Sequence, residues 1–231
     1  MGGVVIAAAT IILYTPWLPL FDLREIVVRK NSYIPAEEIE RVTGFKTGEN
    51  LFRLHVRRAH EALARLPWAK DVLIHRALLH RVEIVVEERQ PVAVIAGPSG
   101  AGLLVLGEGG VVVAKATKEL QPPLLVKGAP LTGNEPGARV SDPNVVATLE
   151  RLYWHGLTEK FFQSVDFSNR FSVILQGEKD LVVYLGSVDE IAPRIDALAA
   201  LLLEIDAAQY RSIDLRFGGE AILVPRKVVN R

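Results

Sequence analysis

The first 21 residues of the chain contain no charged side chain, and the first charge is Asp22. Residues 2–21 would measure about 30 Å as a helix, which matches the thickness of the hydrocarbon core of a bilayer. Tyr14 and Trp17 lie toward the far end of this segment, where aromatic side chains meet the membrane interface. The pattern predicts a transmembrane helix over residues 1–20 that anchors a globular chain.

Two other structures compete with this anchor: a cleaved signal peptide and a buried core element. A signal peptide carries basic residues before its apolar run and a small-residue cleavage motif after it, and this segment has neither. The nearest basic residues, Arg24, Arg29 and Lys30, follow the segment, so the positive-inside rule alone would place the bulk of the chain in the cytoplasm. We expect instead that a basic cytoplasmic tail precedes Met1 in the natural protein, and that residues 22–231 lie outside the cytoplasm.

The charge balance and the absence of cysteine exclude several classes of function. The chain has 27 basic and 27 acidic residues, and neither half carries the basic excess of a nucleic-acid-binding domain. It contains no cysteine, which excludes disulfides, a thiol nucleophile and a cysteine-ligated metal site.

The first half of the globular region predicts the order β-α-α-β-β. Apolar residues recur at helical spacing before Pro67, and Leu63 and Leu66 are expected core positions on that helix. Val82, Ile84 and Val86 alternate with less apolar residues, which is typical of a half-buried strand. The remaining elements are a strand over residues 21–29, a helix that begins near Pro35 and ends at Gly44, and a strand over residues 72–74.

The second half predicts a mostly antiparallel β-domain with two helices. A glycine-rich turn at residues 107–110 separates two apolar runs and indicates a hairpin. The two helices are expected over residues 143–155 and 191–205, and two closing strands over residues 212–217 and 220–224. The fold class is therefore α+β, with an N-terminal transmembrane helix.

The histidines do not form a pattern typical of metal ligands. His55 and His60 are five residues apart, as are His75 and His80, and this spacing fits neither one helix face nor one strand face. His155 stands alone. We expect no metal site.

No group of residues predicts catalysis. Glu87 and Glu88 are adjacent, and neighbours on a strand point to opposite faces, so they do not form a carboxylate pair. Asp214 is expected to make structural hydrogen bonds. No nucleophile motif or phosphate-binding loop occurs, and we therefore expect neither enzymatic activity nor a cofactor.

The ordered set of apolar anchor and sequence blocks resembles the FtsQ/DivIB family of bitopic bacterial cell-division proteins. The blocks are FDLREIVVRKNSYIPAEEIERVTGFKTGENLFRL, ALARLPWAKDVLIHR, VEIVVEERQPVA and YRSIDLRF. The resemblance covers essentially the whole chain in the right order. It implies an anchor at residues 1–20, a POTRA domain at 21–91, a β-domain at 92–225 and a short tail at 226–231.

The resemblance also implies a function. Family members are non-catalytic scaffolds of the divisome in the cytoplasmic membrane at the septum, where they regulate septal peptidoglycan synthesis. The β-domain is expected to bind FtsB/DivIC-like and FtsL-like bitopic proteins, and the POTRA domain other division proteins. The alternative is a POTRA-containing component of outer-membrane protein transport or assembly, but residues 93–231 hold too few strands for its membrane-spanning part.

The family places its docking surface at the last strands, where a partner adds a strand to an exposed edge. Arg216 is expected to meet an acidic partner side chain and Phe217 to act as an aromatic anchor. The alternative is that Phe217 is ordinary core and Arg216 a solvated charge. The partner-binding residues predicted here are Arg216, Phe217, Gly219, Glu220, Ala221, Ile222, Leu223 and Val224.

Overall fold

The computed structural model describes residues 21–77, 80–97 and 102–226. The predicted transmembrane helix at residues 1–20 lies outside the described residues, as does all but the first residue of the predicted tail. Within the described ranges, no helix combines the length and the apolar character needed to cross a bilayer.

The chain divides into two compact units between Arg89 and Gln90. Both contain helices and strands, and the second is rich in strands, so the α+β class is confirmed. We refer to them as the N-terminal unit and the C-terminal unit.

The N-terminal unit has the β-α-α-β-β order expected from its sequence. Its elements are β1 (Glu25–Arg29), α1 (Ala36–Thr43), α2 (Val56–Leu63), β2 (Ala69–Ala77) and β3 (Arg81–Glu88). The sheet order is β1-β3-β2, with β3 in the centre, parallel to β1 and antiparallel to β2. The parallel pair arises because two helices separate β1 from β2, which lets the chain return to the sheet beside β3.

Apolar periodicity explains the core of this unit. Val82, Ile84 and Val86 on β3 are completely buried, as is Leu63 on α2. Leu66 is only half-buried, because α2 ends at Leu63 and the following turn leaves the helical face. Both were predicted as core positions: Leu63 lies within the core, and Leu66 packs against it at its margin.

Among its described residues, the C-terminal unit contains one nine-stranded sheet and three α-helices. Its strands are β4 (Pro91–Ala96), β5 (Leu103–Gly107), β6 (Val111–Lys115), β7 (Leu125–Lys127), β8 (Phe162–Asp166), β9 (Val173–Gly177), β10 (Val182–Gly186), β11 (Tyr210–Asp214) and β12 (Ile222–Pro225). Its helices are α3 (Pro143–Trp154), α4 (Leu157–Lys160) and α5 (Ile191–Glu204).

The strand order is β12-β11-β10-β9-β8-β7-β4-β5-β6. Antiparallel pairs predominate, and the parallel pairs are β10 with β11, β7 with β8 and β4 with β7. The first two parallel pairs follow helical crossovers, through α5 and α3–α4 respectively, and helix α5 packs its fully buried Ile195 and Leu198 against the sheet.

Two features differ from the sequence-based expectation. The short helix α4 was not predicted; it begins after Gly156, which has a positive φ of 66° and redirects the chain. The last two strands were predicted over 212–217 and 220–224 but occupy Tyr210–Asp214 and Ile222–Pro225. The reason is a turn: the backbone N–H of Arg216 donates to the Asp214 carboxylate at 3.0 Å, and β11 ends at Asp214, three residues before its predicted end.

Candidate functional site

The two edges of the nine-stranded sheet differ in how their backbone groups are used. At the β6 edge, the Val112 N–H donates to the Ala138 carbonyl and the Gly137 N–H donates to the Val112 carbonyl, both at 2.8 Å. The segment before α3 therefore closes this edge at Val112, near the start of β6. At the opposite edge, β12 pairs only with β11 among the described residues.

The geometry of β11 determines which groups of β12 face outward. The Leu215 N–H donates to the Tyr184 carbonyl on β10 at 2.9 Å, so odd-numbered residues of this stretch turn their backbone groups toward β10. Backbone groups of successive residues point to opposite sides of a strand. The N–H and C=O groups of Ser212 and Asp214 therefore point toward β12. Their opposite residues are Val224 and Ile222, respectively. The backbone N–H and C=O groups of Ile222 and Val224 therefore point inward to β11, and those of Leu223 point outward to the free edge.

Successive side chains on β12 point to opposite faces of the sheet. Leu223 packs against the core cluster that contains α5. Ile222 and Val224 lie on the other face and are 48% and 44% exposed. On that same face, Tyr184 and Val182 of β10 are half-buried, two strands away. The edge thus continues into a partly apolar surface turned away from α5.

Arg216 lies at the start of the β11–β12 turn and binds within its own chain. Its Nε and Nη2 donate to the Asp214 carboxylate, at 2.9 and 2.5 Å to the nearer oxygens. The guanidinium carbon also lies 5.1 Å from the centre of the Tyr184 ring and 5.8 Å from that of Phe217, both cation–π distances. The guanidinium is thereby held in one place over the exposed face.

This pair shifts both protonation equilibria toward the charged forms. Hydrogen bonds from Arg216 lower the pKa of Asp214, and they outweigh the opposing effect of burial. The same carboxylate raises the pKa of Arg216. Asp214 was expected to make structural hydrogen bonds, and it makes them with Arg216. The sequence-based prediction had paired Arg216 with an acidic side chain of a partner.

The sequence of the chain matches known proteins over most of its length. A profile described as "POTRA domain, FtsQ-type" matches residues 21–89. The chain is 25% identical over 206 residues to "Cell division protein FtsQ" of Corynebacterium glutamicum, and the match covers 87% of both chains. It is 24% identical over 213 residues to "Cell division protein DivIB" of Clostridium acetobutylicum, covering 89% of this chain and 83% of the relative. The chain thus resembles the FtsQ/DivIB cell-division proteins over most of its length.

A further relative shows a higher identity over a shorter stretch. The chain is 30% identical to "Cell division protein FtsQ" of Neisseria meningitidis serogroup B over 142 residues, which is 62% of this chain and 54% of the relative. The resemblance given by the sequence blocks is thus confirmed.

The remaining predicted partner-binding residues lie in the turn before β12. Phe217 is 54% exposed, so the alternative that it is ordinary core is wrong for the free chain. Gly219 has a φ of 87°, which favours glycine, and Glu220 and Ala221 are exposed. Glu220 and Ala221 therefore belong to the turn and not to the strand in which they were predicted.

Phe217 also lines a groove that the sequence did not predict. It has a volume of about 600 Å³ and runs between the β11–β12 turn and α5. Pro193, Ala197 and Leu201 line it on the helix side. These residues are spaced i, i+4, i+8, so a second apolar stripe on the helix, beside the core stripe, was the signal available in the sequence.

The histidines lie apart from this edge. His155 Nε2 lies 2.9 Å from an Asp196 carboxylate oxygen between α3 and α5. His80 Nδ1 lies 2.9 Å from the Asp22 carbonyl oxygen in the N-terminal unit. No group of three or more His, Asp or Glu residues placed to hold a metal ion occurs within residues 21–77, 80–97 and 102–226.

Proposed function

We propose that this FtsQ/DivIB family chain is a non-catalytic scaffold of the divisome that binds its partners through β12. In this proposal, residues 1–20 anchor the protein in the cytoplasmic membrane at the septum, with the bulk of the chain outside the cytoplasm. FtsB/DivIC-like and FtsL-like bitopic proteins bind to the C-terminal unit, and their binding regulates septal peptidoglycan synthesis. The supporting observation is the difference between the two sheet edges: the β6 edge is closed, and β12 has no outer partner among the described residues.

The proposed domain organisation rests on the profile match and on the division of the chain into two units. We assign residues 21–91 to a POTRA domain that contacts other division proteins, 92–225 to an FtsQ-type β-domain and 226–231 to a tail. The support is the POTRA match at residues 21–89 and the division into compact units between Arg89 and Gln90.

The proposed mode of binding is addition of a strand to β12. A row of unpaired N–H and C=O groups is a template for a further strand, and here the Leu223 N–H and C=O point outward. Pro225 has no N–H, so the outer row loses a donor at its end. A partner strand is therefore held by a short ladder. Contacts of its side chains with the exposed Ile222 and Val224 supply the remaining affinity.

Arg216 contributes to partner choice without leaving Asp214. Its bonds to that carboxylate use Nε and Nη2. The two N–H groups of Nη1 therefore remain available to bind a partner carboxylate. The Asp214 pair and the Tyr184 ring hold the guanidinium before the partner arrives. Such preorganisation lowers the entropy lost on binding.

Two variants at one position test this mode of binding. Leu223→Pro removes the outward N–H, and proline is tolerated on an edge strand where the N–H faces solvent. Leu223→Ala is the matched control, because it removes most of the same half-buried side chain and retains the N–H. In pull-down of an FtsB-like partner by the full chain, we expect Leu223→Pro to lose binding by at least about tenfold and Leu223→Ala by much less.

Equal binding by both variants would show that β12 does not accept a strand at this position. Ile222→Pro gives a separate readout. It removes an inward bond to β11, so it disrupts the docking strand itself and should also abolish binding. Undiminished binding by Ile222→Pro would move the docking surface away from β12.

A further inference from the structure

A basic cleft lies at the end of the N-terminal unit where residues 1–20 join the described chain. It has a volume of about 570 Å³ and is lined by Arg24, Glu25, Arg76, Ala77, His80 and Arg81. Three arginines and a histidine therefore face one glutamate. The cleft has no role in the proposed partner docking.

The charges in this cleft are only partly compensated. Arg81 pairs with Glu25 at 2.7 Å, which neutralises both. Arg76 donates to the carbonyl oxygens of Leu51 and Leu54 at 2.8 and 3.1 Å, so its position is fixed but its charge is not cancelled. The side chain of Arg24 is exposed and makes no hydrogen bond or ion pair with the described residues.

Backbone bonds fix the place where the apolar N-terminal segment leaves the unit. The Leu51 N–H donates to the Phe21 carbonyl at 2.8 Å, and the rings of Phe21 and Phe52 are 5.2 Å apart. The N–H groups of Arg24 and Glu25 both donate to the His80 carbonyl. The exit point and the wall of the cleft are therefore one hydrogen-bonded structure.

The distance from the exit to the cleft is short. Arg24 follows Phe21 by three residues, which is at most about 10 Å along an extended chain. Residue 20 ends a segment without charged side chains whose length matches a bilayer core. If that segment spans the membrane, the cleft lies within about one Debye length of the lipid headgroups, where basic side chains are attracted to anionic lipid.

We propose that this cleft binds the phosphate groups of anionic phospholipids and so fixes the N-terminal unit against the membrane surface. The proposal rests on the membrane anchor in the proposed function. Arg24 and Arg76 supply the uncompensated positive charge, and Arg81 exchanges its bond to Glu25 for one to a phosphate. Arg24, one of the basic residues whose position after the apolar segment conflicts with the positive-inside rule, thereby acquires a function as a lipid ligand.

The absence of cysteine makes a site-specific probe straightforward. Ala77→Cys, labelled with a fluorophore in the full chain, places a reporter in the wall of the cleft. The protein is incorporated into nanodiscs of phosphatidylcholine with or without phosphatidylglycerol, and headgroup spin-labelled lipid serves as quencher. We expect quenching to be about twofold stronger in the discs with phosphatidylglycerol, and high salt to remove the difference.

Two charge reversals separate the cleft from a general effect of charge. Arg24→Glu should abolish the dependence on phosphatidylglycerol, because it removes one uncompensated charge and adds a negative one. Arg65→Glu is the matched control: it precedes β2, whose nine residues put about 26 Å between its first residue and Ala77 at the cleft. The Arg65→Glu protein should behave as the unmodified chain does.

The outcomes distinguish the possible failures. Protein that does not incorporate into nanodiscs would overturn both the anchor and this proposal. Incorporated protein with equal quenching in both lipids, or with equal loss in the two arginine variants, would overturn the cleft alone. Competition by soluble glycerol phosphate at matched phosphate concentration would show a site for free phosphate and would likewise overturn the lipid assignment.

Discussion

The carboxylate of Glu88 accepts a hydrogen bond at 2.7 Å from the backbone N–H of Ile34, 54 residues earlier in the chain. The same carboxylate accepts two more, from the N–H groups of Ser32 and Tyr33 at 2.7 and 2.8 Å. Three successive donors thus converge on one side chain at the end of β3. The Tyr33 ring stacks on Trp68 at 4.2 Å, so the β1–α1 loop is held on two sides.

Substitution of Glu88 should destabilise the N-terminal unit. Glu88→Gln replaces one acceptor oxygen by an amide that faces N–H donors, and loss of charge-assisted bonds in a buried place costs about 1.5–3 kcal/mol. The measurement is urea unfolding of residues 22–231. Glu87→Gln is the control, because Glu87 is exposed and its pair with Lys70 spans 3.4 Å. A loss below about 0.5 kcal/mol for Glu88→Gln, the usual surface effect, would contradict the clamp.

Leu63 should be one of the most sensitive core positions of the same unit. It is completely buried, and Leu63→Ala is expected to cost about 2–5 kcal/mol from lost burial and the resulting cavity. Leu73→Ala provides the comparison, since Leu73 is 51% exposed and should change stability by about 0.5 kcal/mol or less. Similar denaturation midpoints for the two variants would show that the α2 face is assigned wrongly.

The Asp214–Arg216 pair should make stability depend on pH in one direction. Because the pKa of Asp214 is lowered on folding, its contribution is fully present above the ordinary value of 3.8 and is lost as pH falls through the folded pKa. The difference in unfolding free energy between the unmodified chain and Asp214→Asn should therefore shrink below that pH. The contribution is small, because the Arg216 side chain is 45% exposed and solvent screens the pair. A difference that grows on acidification would reverse the assigned sign.

Arg216 should matter for partner binding more than Arg211, which lies on β11. Arg216→Glu places a negative charge beside Asp214 and removes the donor for an acidic partner, so binding of an FtsB-like partner should fall by about tenfold or more. Arg211→Glu makes the same charge change at an exposed position on β11. Equal binding by the two variants in a pull-down would remove Arg216 from the docking surface.

The sequence predicted local structure in the N-terminal unit well, for physical reasons. The alternation on β3 and the spacing on α2 both record burial on one face, which folding preserves. The prediction placed Glu87 and Glu88 on opposite faces, but it did not find the donors to Glu88, because they come from a loop more than fifty residues away. The end of α2 was also misplaced, since no capping residue marks Leu63 as the last helical position.

Sheet order in the C-terminal unit could not be read from the sequence. The parallel pairing of β7 with β4 and of β10 with β11 depends on crossovers, whereas alternation predicts only that each segment is a strand. Strand β12 was placed near its observed position because the last apolar segment ends at Pro225. The pair Asp214 and Arg216 was missed, although residues two apart on a strand share a face and an Asp-x-Arg sequence at a strand end is the signal for it.

The closed β6 edge has a consequence for stoichiometry. A sheet with two open edges can be extended from both sides and is prone to form chains of indefinite length. In the proposed mode of binding this sheet grows from β12, so one molecule would accept one added strand. Under this proposal, the fold itself limits the number of partner strands, because Gly137 and Ala138 already bond to Val112 at the opposite edge.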